Sequence, residues 1–293
     1  MHLLEWSTVA FIAQKTSRNL NFKHEINRMR LLNTLVLAAF ACAQHENPLD
    51  SQDLHSLDRR AIVWPSQVFA PYLDNGDYPT PSITAFAKSS GVLYYTVAFL
   101  IADGNNLPAW SGSIPLSQKF YLDEITSLRA LGGDVIISFG GAAGSEVAEV
   151  ITDVNSLAAV YQSVIDTYSL TRIDFDIEGS VLYKTDSVDR RNAALVILKQ
   201  NNRNLVISYT LPVLPQGLDD AGLYVIKSAV AKGLQIDVVN IMAMDFGDGA
   251  APNGATGMGA YAIQAAQGTY SQCNGAGLSN FKIGITPMIG NIH

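Results

Sequence analysis

Beyond its midpoint the chain reads Arg172-Ile173-Asp174-Phe175-Asp176-Ile177-Glu178-Gly179, and the rest of the sequence is organised around this segment. Acidic and apolar residues alternate in it, so in a β-strand Asp174, Asp176 and Glu178 share one face. Crowded carboxylates on an apolar strand pair, accept hydrogen bonds or take up protons. Crowding also separates their pKa values, so that one carboxyl can remain an acid near neutral pH. A solvent-facing edge strand and a divalent-metal site are the alternative interpretations.

Strand-like segments alternate with helical patterns on both sides of this stretch. The seven predicted strands are residues 68–72, 94–102, 134–141, 170–178, 204–212, 238–246 and 281–288. The predicted helices are residues 122–131, 154–168, 186–200, 222–232 and 259–266. Near-continuous apolar strands between helices predict a parallel sheet covered on both faces. Units of this length indicate an α/β (β/α)8 TIM barrel, with a doubly wound sheet as the alternative, and functional groups at the carboxyl ends of the strands.

Composition narrows the classes of function. The 293 residues are 48% hydrophobic and 15% charged, which is enough apolar material for one large core. The formal net charge is −7 and no basic patch stands out, which argues against nucleic acid as a partner. The two cysteines, Cys42 and Cys273, have neither metal-type spacing nor a disulfide pattern.

Residues 1–43 differ from the rest of the chain. Met29 and Arg30 precede an apolar run that ends in Ala41-Cys42-Ala43, the pattern of a secretory signal cleaved after Ala43. A buried core helix and lipid anchoring at Cys42 are the alternatives. We interpret residues 1–28 as an upstream extension, either a reading-frame artefact or an organelle-targeting segment. The expectation is a secreted protein without a membrane segment after cleavage, with a polar arm at 44–65 and a catalytic barrel at 66–293.

The acidic stretch and two further motifs resemble the family 18 glycoside hydrolases, the chitinase family. Residues 173–178 match the core of that family's D-x-x-D-x-D-x-E signature. Residues 138–141, Ser-Phe-Gly-Gly, match its S-x-G-G motif. Residues 242–245, Met-Ala-Met-Asp, stand where the family has M-x-Y-D. The resemblance covers about residues 66–290.

The resemblance implies a retaining, substrate-assisted hydrolysis of β-1,4-linked N-acetylglucosamine in chitin or chito-oligosaccharides. Glu178 would protonate the glycosidic oxygen, Asp176 would orient the substrate's acetamido group, and Asp174 would support Asp176. Asp245 would contact the distorted sugar. No cofactor, no metal and a monomeric enzyme are expected. The substrate-contacting residues are completed by Gly140, Gly141, Met244, Tyr209, Tyr72 and Trp110.

Several of these assignments rest on departures from the family pattern. Met244 replaces a tyrosine that ordinarily holds the acetamido group, and Tyr209 is the proposed substitute. Tyr72 and Trp110 would stack on sugar rings, although Trp110 reads equally well as a buried loop anchor. Arg172 stands where the family has glycine, either facing outward or offsetting the acidic cluster.

The C-terminal end of the sequence carries another departure. No eighth strand follows the seventh, so we expect a chain truncated before the last barrel strand, with two unpaired edges. Two other functions stay open. One is a non-catalytic lectin-like relative that binds N-acetylglucosamine, and the other is an endo-β-N-acetylglucosaminidase acting on glycoprotein glycans.

Overall fold

The computed structural model describes residues 6–9, 12–13, 63–77 and 79–289. A single sheet forms the centre of this part of the chain. Its strands are β1 (Trp6–Val9), β2 (Ile12–Ala13), β3 (Val68–Phe69), β4 (Tyr72–Asp74), β5 (Tyr94–Ala102), β6 (Pro108–Trp110), β7 (Ile114–Pro115), β8 (Asp134–Gly140), β9 (Arg172–Asp176), β10 (Val206–Pro212), β11 (Val238–Met242), β12 (Lys282–Thr286) and β13 (Met288–Ile289). All pairings among them are parallel except those that add β6 and β7 to the edge of β5.

Helices cover the outer face of the sheet and follow the strands in turn. They are α1 (Ile83–Ser90), α2 (Leu122–Ala130), α3 (Val147–Val150), α4 (Val154–Tyr168), α5 (Thr185–Asn201), α6 (Asp220–Ala231) and α7 (Gly254–Gly275). Side-chain oxygens of Ser82, Asp153 and Asp219 accept backbone N–H groups at the starts of α1, α4 and α6. Such caps satisfy donors that the first helical turn leaves unpaired, which fixes where each helix begins.

Successive strands lie in the order β4–β5–β8–β9–β10–β11–β12. Their side chains divide into two layers because neighbouring residues of a strand point to opposite faces. Phe139 and Phe175 contact Tyr161 of α4 and form part of the apolar outer layer. The residue before each of these phenylalanines points to the opposite face, so Ser138 and Asp174 face the barrel axis. The architecture confirms the predicted α/β barrel.

The N-terminal segment occupies the gap between the last and first of these strands. β1 pairs in parallel with β12 on one side and with β3 on the other. β2 continues this position between β13 and β4. β1 and β2 thus stand at the eighth position around the ring, whereas the sequence led us to expect two unpaired edges there.

Most predicted elements are present with shifted ends. The strand over 94–102 and the helix over 154–168 match the predictions, whereas α1 was not predicted. The last helix is also longer than predicted at both ends, since α7 runs from Gly254, inside a glycine-rich stretch, to Gly275. The predicted signal segment from Met29 to Ala43 and most of the polar arm lie outside the described residues. Among the described helices, none has the length and apolar character needed to cross a membrane.

Candidate active site

The three acids lie at the carboxyl end of β9. Asp174 and Asp176 are buried, at 2% and 5% exposure. β9 ends at Asp176, and Glu178 is half-buried in extended conformation immediately before a 3-10 turn, Gly179–Tyr183. The strand is therefore shorter than predicted. The extended backbone through Glu178 keeps the period-two alternation, with about 7 Å between the Cα atoms of residues two apart.

Asp174 is held by hydroxyl groups from three other strands, β4, β8 and β10. One carboxylate oxygen accepts from Tyr72 Oη at 2.9 Å and Ser138 Oγ at 2.7 Å. The other accepts from Ser208 Oγ at 2.5 Å and Thr210 Oγ1 at 2.9 Å. Burial raises the pKa of Asp174, while these hydrogen bonds act in the opposite direction. The side chain is thus fixed in one orientation beneath Asp176.

Asp176 is buried without equivalent support. Its Oδ1 atom has no hydrogen-bond partner among the described residues. Burial raises the pKa of Asp176 well above its usual value, and the negative charges of Glu178 and Asp174 raise it further. A buried polar atom left unpaired in a folded protein calls for an explanation, and a ligand group is one. The unpaired oxygen is suited to an N–H donor supplied from the barrel mouth.

Glu178 is the most accessible of the three acids. Burial raises its pKa above the ordinary carboxyl value, so a larger fraction of it stays protonated as the pH approaches neutrality. The site therefore contains a proton donor two residues from a buried carboxyl that accepts hydrogen bonds. That combination can protonate a leaving group while stabilising positive charge nearby.

Two glycines bring the end of β8 against β9. The backbone N–H of Gly141 donates to the carbonyl oxygen of Asp176 at 2.9 Å. A Cβ atom on Gly140 would lie 2.1 Å from the same oxygen, and the φ angle of Gly140 is +98°. Gly140 and Gly141, which the sequence assigned to substrate contact, therefore hold the backbone of Asp176.

We expect Gly140→Ala to lower both stability and activity. The new methyl group must displace the Asp176 carbonyl, at a cost of about 1–3 kcal/mol in unfolding free energy. The matched control is Gly91→Ala, where φ is +77° but no atom lies within 4 Å of the added Cβ. The Tm of thermal unfolding and the kcat should both fall further for the Gly140 variant than for the control. Equal effects would show that backbone strain alone, not contact with Asp176, makes glycine necessary.

Comparison with known proteins identifies the family of this barrel. The sequence profile of glycosyl hydrolases family 18 matches residues 68–288. The chain belongs to this family. It is 35% identical over 244 residues to a probable bifunctional chitinase/lysozyme of Escherichia coli (strain K12), which covers 78% of this chain and 27% of that protein. It is 35% identical over 190 residues to Endochitinase 11 of Metarhizium anisopliae, covering 64% of this chain and 36% of that protein.

A solved family 18 relative has a similar fold. Catalytic-site mutants of active domain 2 of a thermostable chitinase from Pyrococcus furiosus, complexed with chito-oligosaccharides, superpose with a TM-score of 0.68. The sequences are 34% identical, and the match covers 77% of this chain and 73% of that one. By contrast, the chain spans only about a quarter to about a third of the length of the two curated relatives.

Tyr72 lies inside the candidate site, but below its surface. Its hydroxyl contacts Asp174 at 2.9 Å and Thr210 Oγ1 at 2.8 Å, and the side chain is buried. Burial and the nearby carboxylates raise the pKa of Tyr72 well above its ordinary value. In this position Tyr72 supports Asp174, and its ring is not presented as a platform for a sugar.

Two aromatic residues predicted to contact substrate lie elsewhere. Trp110 is fully buried, donates from Nε1 to Tyr168 Oη at 2.8 Å, and packs against Phe120 and Tyr121. Trp110 is thus buried, as in the alternative that the sequence left open, but it lies at the end of β6 and not in a loop. Tyr209 faces the helices, because its neighbours Ser208 and Thr210 face Asp174. Its hydroxyl donates to Asn192 Oδ1 at 2.6 Å, so its assignment to the acetamido group is corrected.

This correction makes Tyr209→Phe a diagnostic substitution. Losing the bond to Asn192 should cost about 1 kcal/mol of unfolding free energy. Because the hydroxyl is remote from the acids, kcat and KM for a chito-oligosaccharide should stay within about twofold of wild type. A loss of about tenfold or more in kcat would restore the catalytic assignment of Tyr209. Steady-state kinetics and thermal unfolding decide between the two.

Met244 and Asp245 follow β11 at the same end of the barrel. Met244 is half-buried, and Asp245 is exposed with a φ of +48°. Both positions are compatible with the substrate contact that the sequence predicts, which stays a prediction. A positive φ in a non-glycine residue is uncommon and occurs often at functional sites.

Sequence reasoning missed a polar layer inside the barrel. Asn240 donates from Nδ2 to Thr210 Oγ1 at 2.9 Å and to Thr286 Oγ1 at 2.7 Å. These residues connect β10, β11 and β12 through their inward faces. A signal was available, since Ser208 and Thr210 alternate with apolar or aromatic residues in β10, and Asn240 is the lone polar residue of β11. Among the described residues, no group of three or more His, Cys, Asp or Glu side chains could hold a metal ion.

Proposed function

We propose that this chain hydrolyses β-1,4 linkages between N-acetylglucosamine units in chitin or chito-oligosaccharides, by a retaining, substrate-assisted mechanism. The observation that carries the proposal is the unpaired, buried carboxyl oxygen of Asp176 two residues from Glu178. The printed names of two relatives, a chitinase/lysozyme and an endochitinase, support this substrate class. So does the chito-oligosaccharide complex of the Pyrococcus furiosus domain.

In the proposed first step, Glu178 donates its proton to the glycosidic oxygen as the bond to the anomeric carbon breaks. The carbonyl oxygen of the substrate's own 2-acetamido group attacks that carbon from the opposite face. This gives a cyclic oxazolinium intermediate, and family 18 is a known exception to the mechanism in which an enzyme carboxylate is the nucleophile. The leaving sugar departs with the proton of Glu178.

Asp176 acts on the acetamido group in this step. Its unpaired oxygen accepts the acetamido N–H, which orients the carbonyl oxygen for attack and stabilises the positive charge that develops on the ring. Asp174 keeps Asp176 in place through its own fixed position beneath it. In the second step Glu178, now ionised, removes a proton from water as the water attacks the anomeric carbon, so the β-configuration is retained.

A lectin-like function is the second candidate, and Met244 favours it. A thioether cannot donate the hydrogen bond that the tyrosine of M-x-Y-D offers to the acetamido group. A site with weaker control of that group would bind N-acetylglucosamine oligomers without cleaving them. Retention of Glu178 favours hydrolysis.

The test is incubation of the purified full chain with N-acetylchitohexaose, beside a Glu178→Gln control, with products followed by proton NMR. Release of β-anomers that the control does not give would support the proposal. Binding without cleavage by a folded protein would favour the lectin-like function. Release of the α-anomer first would contradict the retaining mechanism.

Secretion is proposed separately, on the sequence pattern alone. Cleavage after Ala43 would remove β1 and β2, which fill the eighth barrel position. Mass spectrometry of protein expressed in a secreting host identifies its N-terminal residue and so tests the cleavage. A mature chain beginning at Gln44 would support cleavage, and an intact N-terminus would contradict it.

A further inference from the structure

A buried ion pair lies behind the candidate site, between α3 and α5. Arg191 Nε donates to Glu146 Oε2 at 2.9 Å, and both side chains are almost completely buried. Glu146 also accepts from Tyr161 Oη at 2.7 Å and from the backbone N–H of Ala148 at 3.0 Å. The carboxylate is therefore fully engaged, and the guanidinium is fixed against it.

Two further contacts connect the same elements. Arg190 donates from Nε and Nη2 to the carbonyl oxygen of Ala148 at 2.9 and 2.8 Å. Lys184 Nζ, just before α5, pairs with Glu149. Three cationic residues that follow Glu178 in the chain thus bind one short segment, residues 146–149. They are Lys184, Arg190 and Arg191.

The two segments that these contacts join, residues 140–150 and 177–184, both lead directly to the acids. The segment 140–150 begins at Gly140 and Gly141, which contact the carbonyl oxygen of Asp176. The middle of the segment returns to the same place, because Glu146 Cγ would lie 3.7 Å from a Cβ atom on Gly140. The segment 177–184 contains Glu178 and ends at Lys184.

A contribution to folding stability does not by itself explain why this ion pair is present in the core. Removing two charges from water costs about as much as their attraction returns, and uncharged side chains of similar volume often stabilise a core equally well. A buried charged pair does, however, restrict the geometry, since Arg191 Nε and both carboxylate oxygens of Glu146 must keep the partners described above. The two terminal guanidinium nitrogens make no hydrogen bond among the described residues, although Nη2 lies 2.9 Å from Glu146 Oε2.

We propose that Arg191 and Glu146 are positioning residues that hold segments 140–150 and 177–184 in the one arrangement that aligns Asp176 with Glu178. Neither side chain touches substrate. The inference rests on the proposed hydrolysis, and it adds a pair of residues to the machinery on which that reaction depends.

The test compares Arg191→Met with the double variant Glu146→Gln/Arg191→Met. The single variant leaves a buried, unpaired carboxylate, so we expect its Tm to fall by roughly 10 °C. The double variant has no charge at either of the two positions, so its Tm should regain most of the roughly 10 °C that the single variant loses. Its kcat on N-acetylchitohexaose should nevertheless stay about 10–100-fold below wild type, with KM within about threefold, because misplacement of reacting groups by 1 Å has effects of that size.

Arg129→Met is the matched control, because Arg129 pairs with Asp134 at 2.9 Å at the opposite end of β8. It should lower Tm without changing kcat. Amide hydrogen exchange supplies a readout that does not need catalysis: the double variant should exchange faster in peptides covering 141–150 and 177–184. A stable double variant with wild-type kcat would overturn the proposal, and so would wild-type exchange. An inactive wild type would instead overturn the proposed hydrolysis, and exchange would still decide whether the pair holds the two segments.

Discussion

Glu178→Gln is expected to lower kcat on N-acetylchitohexaose by about 10²–10⁴-fold, because glutamine keeps the shape of the side chain but has no proton to donate. KM should change little. The pH profile of the wild type gives a second check, since burial raises the pKa of Glu178. Activity requires the protonated acid, so kcat/KM should decrease as the pH rises through a value above the ordinary carboxyl pKa of about 4.3.

A substrate with a good leaving group separates this role from a general loss of structure. With a 4-nitrophenyl aglycone the leaving oxygen needs little protonation, so the cleavage step of Glu178→Gln should recover most of its rate in single-turnover measurements. An equal loss of rate on both substrates would contradict the assignment of Glu178 as the general acid.

Asp176→Asn is expected to change activity and stability in opposite directions. Asparagine cannot stabilise the developing positive charge, so kcat should fall by about 10²–10³-fold. Burial and neighbouring acids raise the pKa of Asp176 in the folded protein, which therefore binds more protons than the unfolded chain above the unfolded pKa. The stability contributed by protonated Asp176 is thus lost as the pH rises through the folded value. Removing this ionisation should raise Tm at alkaline pH.

Thermal unfolding at two pH values measures the effect. A gain of about 1 kcal/mol corresponds to roughly 2–4 °C in Tm for a domain of this size. The gain should be present at pH 9 and absent at pH 4, where the wild-type carboxyl is protonated in the folded state. A Tm that falls equally at both pH values would show that Asp176 makes stabilising contacts in the folded protein.

The sequence and the structure agree where the pattern is local. Strand alternation at 172–178 placed the three acids on one face, and the apolar strands between helices predicted the barrel. Family membership followed from contiguous motifs, S-x-G-G and the acidic stretch, which the profile match confirms. The predicted end of β9 was two residues too far, because the strand ends at Asp176. Beyond it the backbone N–H of Ile177 still donates to the carbonyl oxygen of Thr210 at 3.0 Å, and Glu178 is extended.

The disagreements concern contacts between residues far apart in the chain. Trp110 and Tyr209 carry side chains suited to binding sugars, but burial against Tyr168 and Asn192 removes them from the barrel mouth. The Glu146–Arg191 pair joins residues 45 positions apart, which no motif marks. The position of β1 between β12 and β3 is likewise not visible in the composition of its four residues.

The chemical groups of the site and their order along one strand follow from the amino-acid sequence, because a β-strand has a fixed period of two and adjacent residues must point to opposite faces. The support of those groups depends on the three-dimensional fold. The four hydroxyl groups around Asp174, the glycine contact with Asp176 and the ion pair behind it depend on which strands become neighbours. Packing of the core sets that arrangement, since the central strands β8, β9, β10 and β11 bury both of their faces and no short segment does so alone.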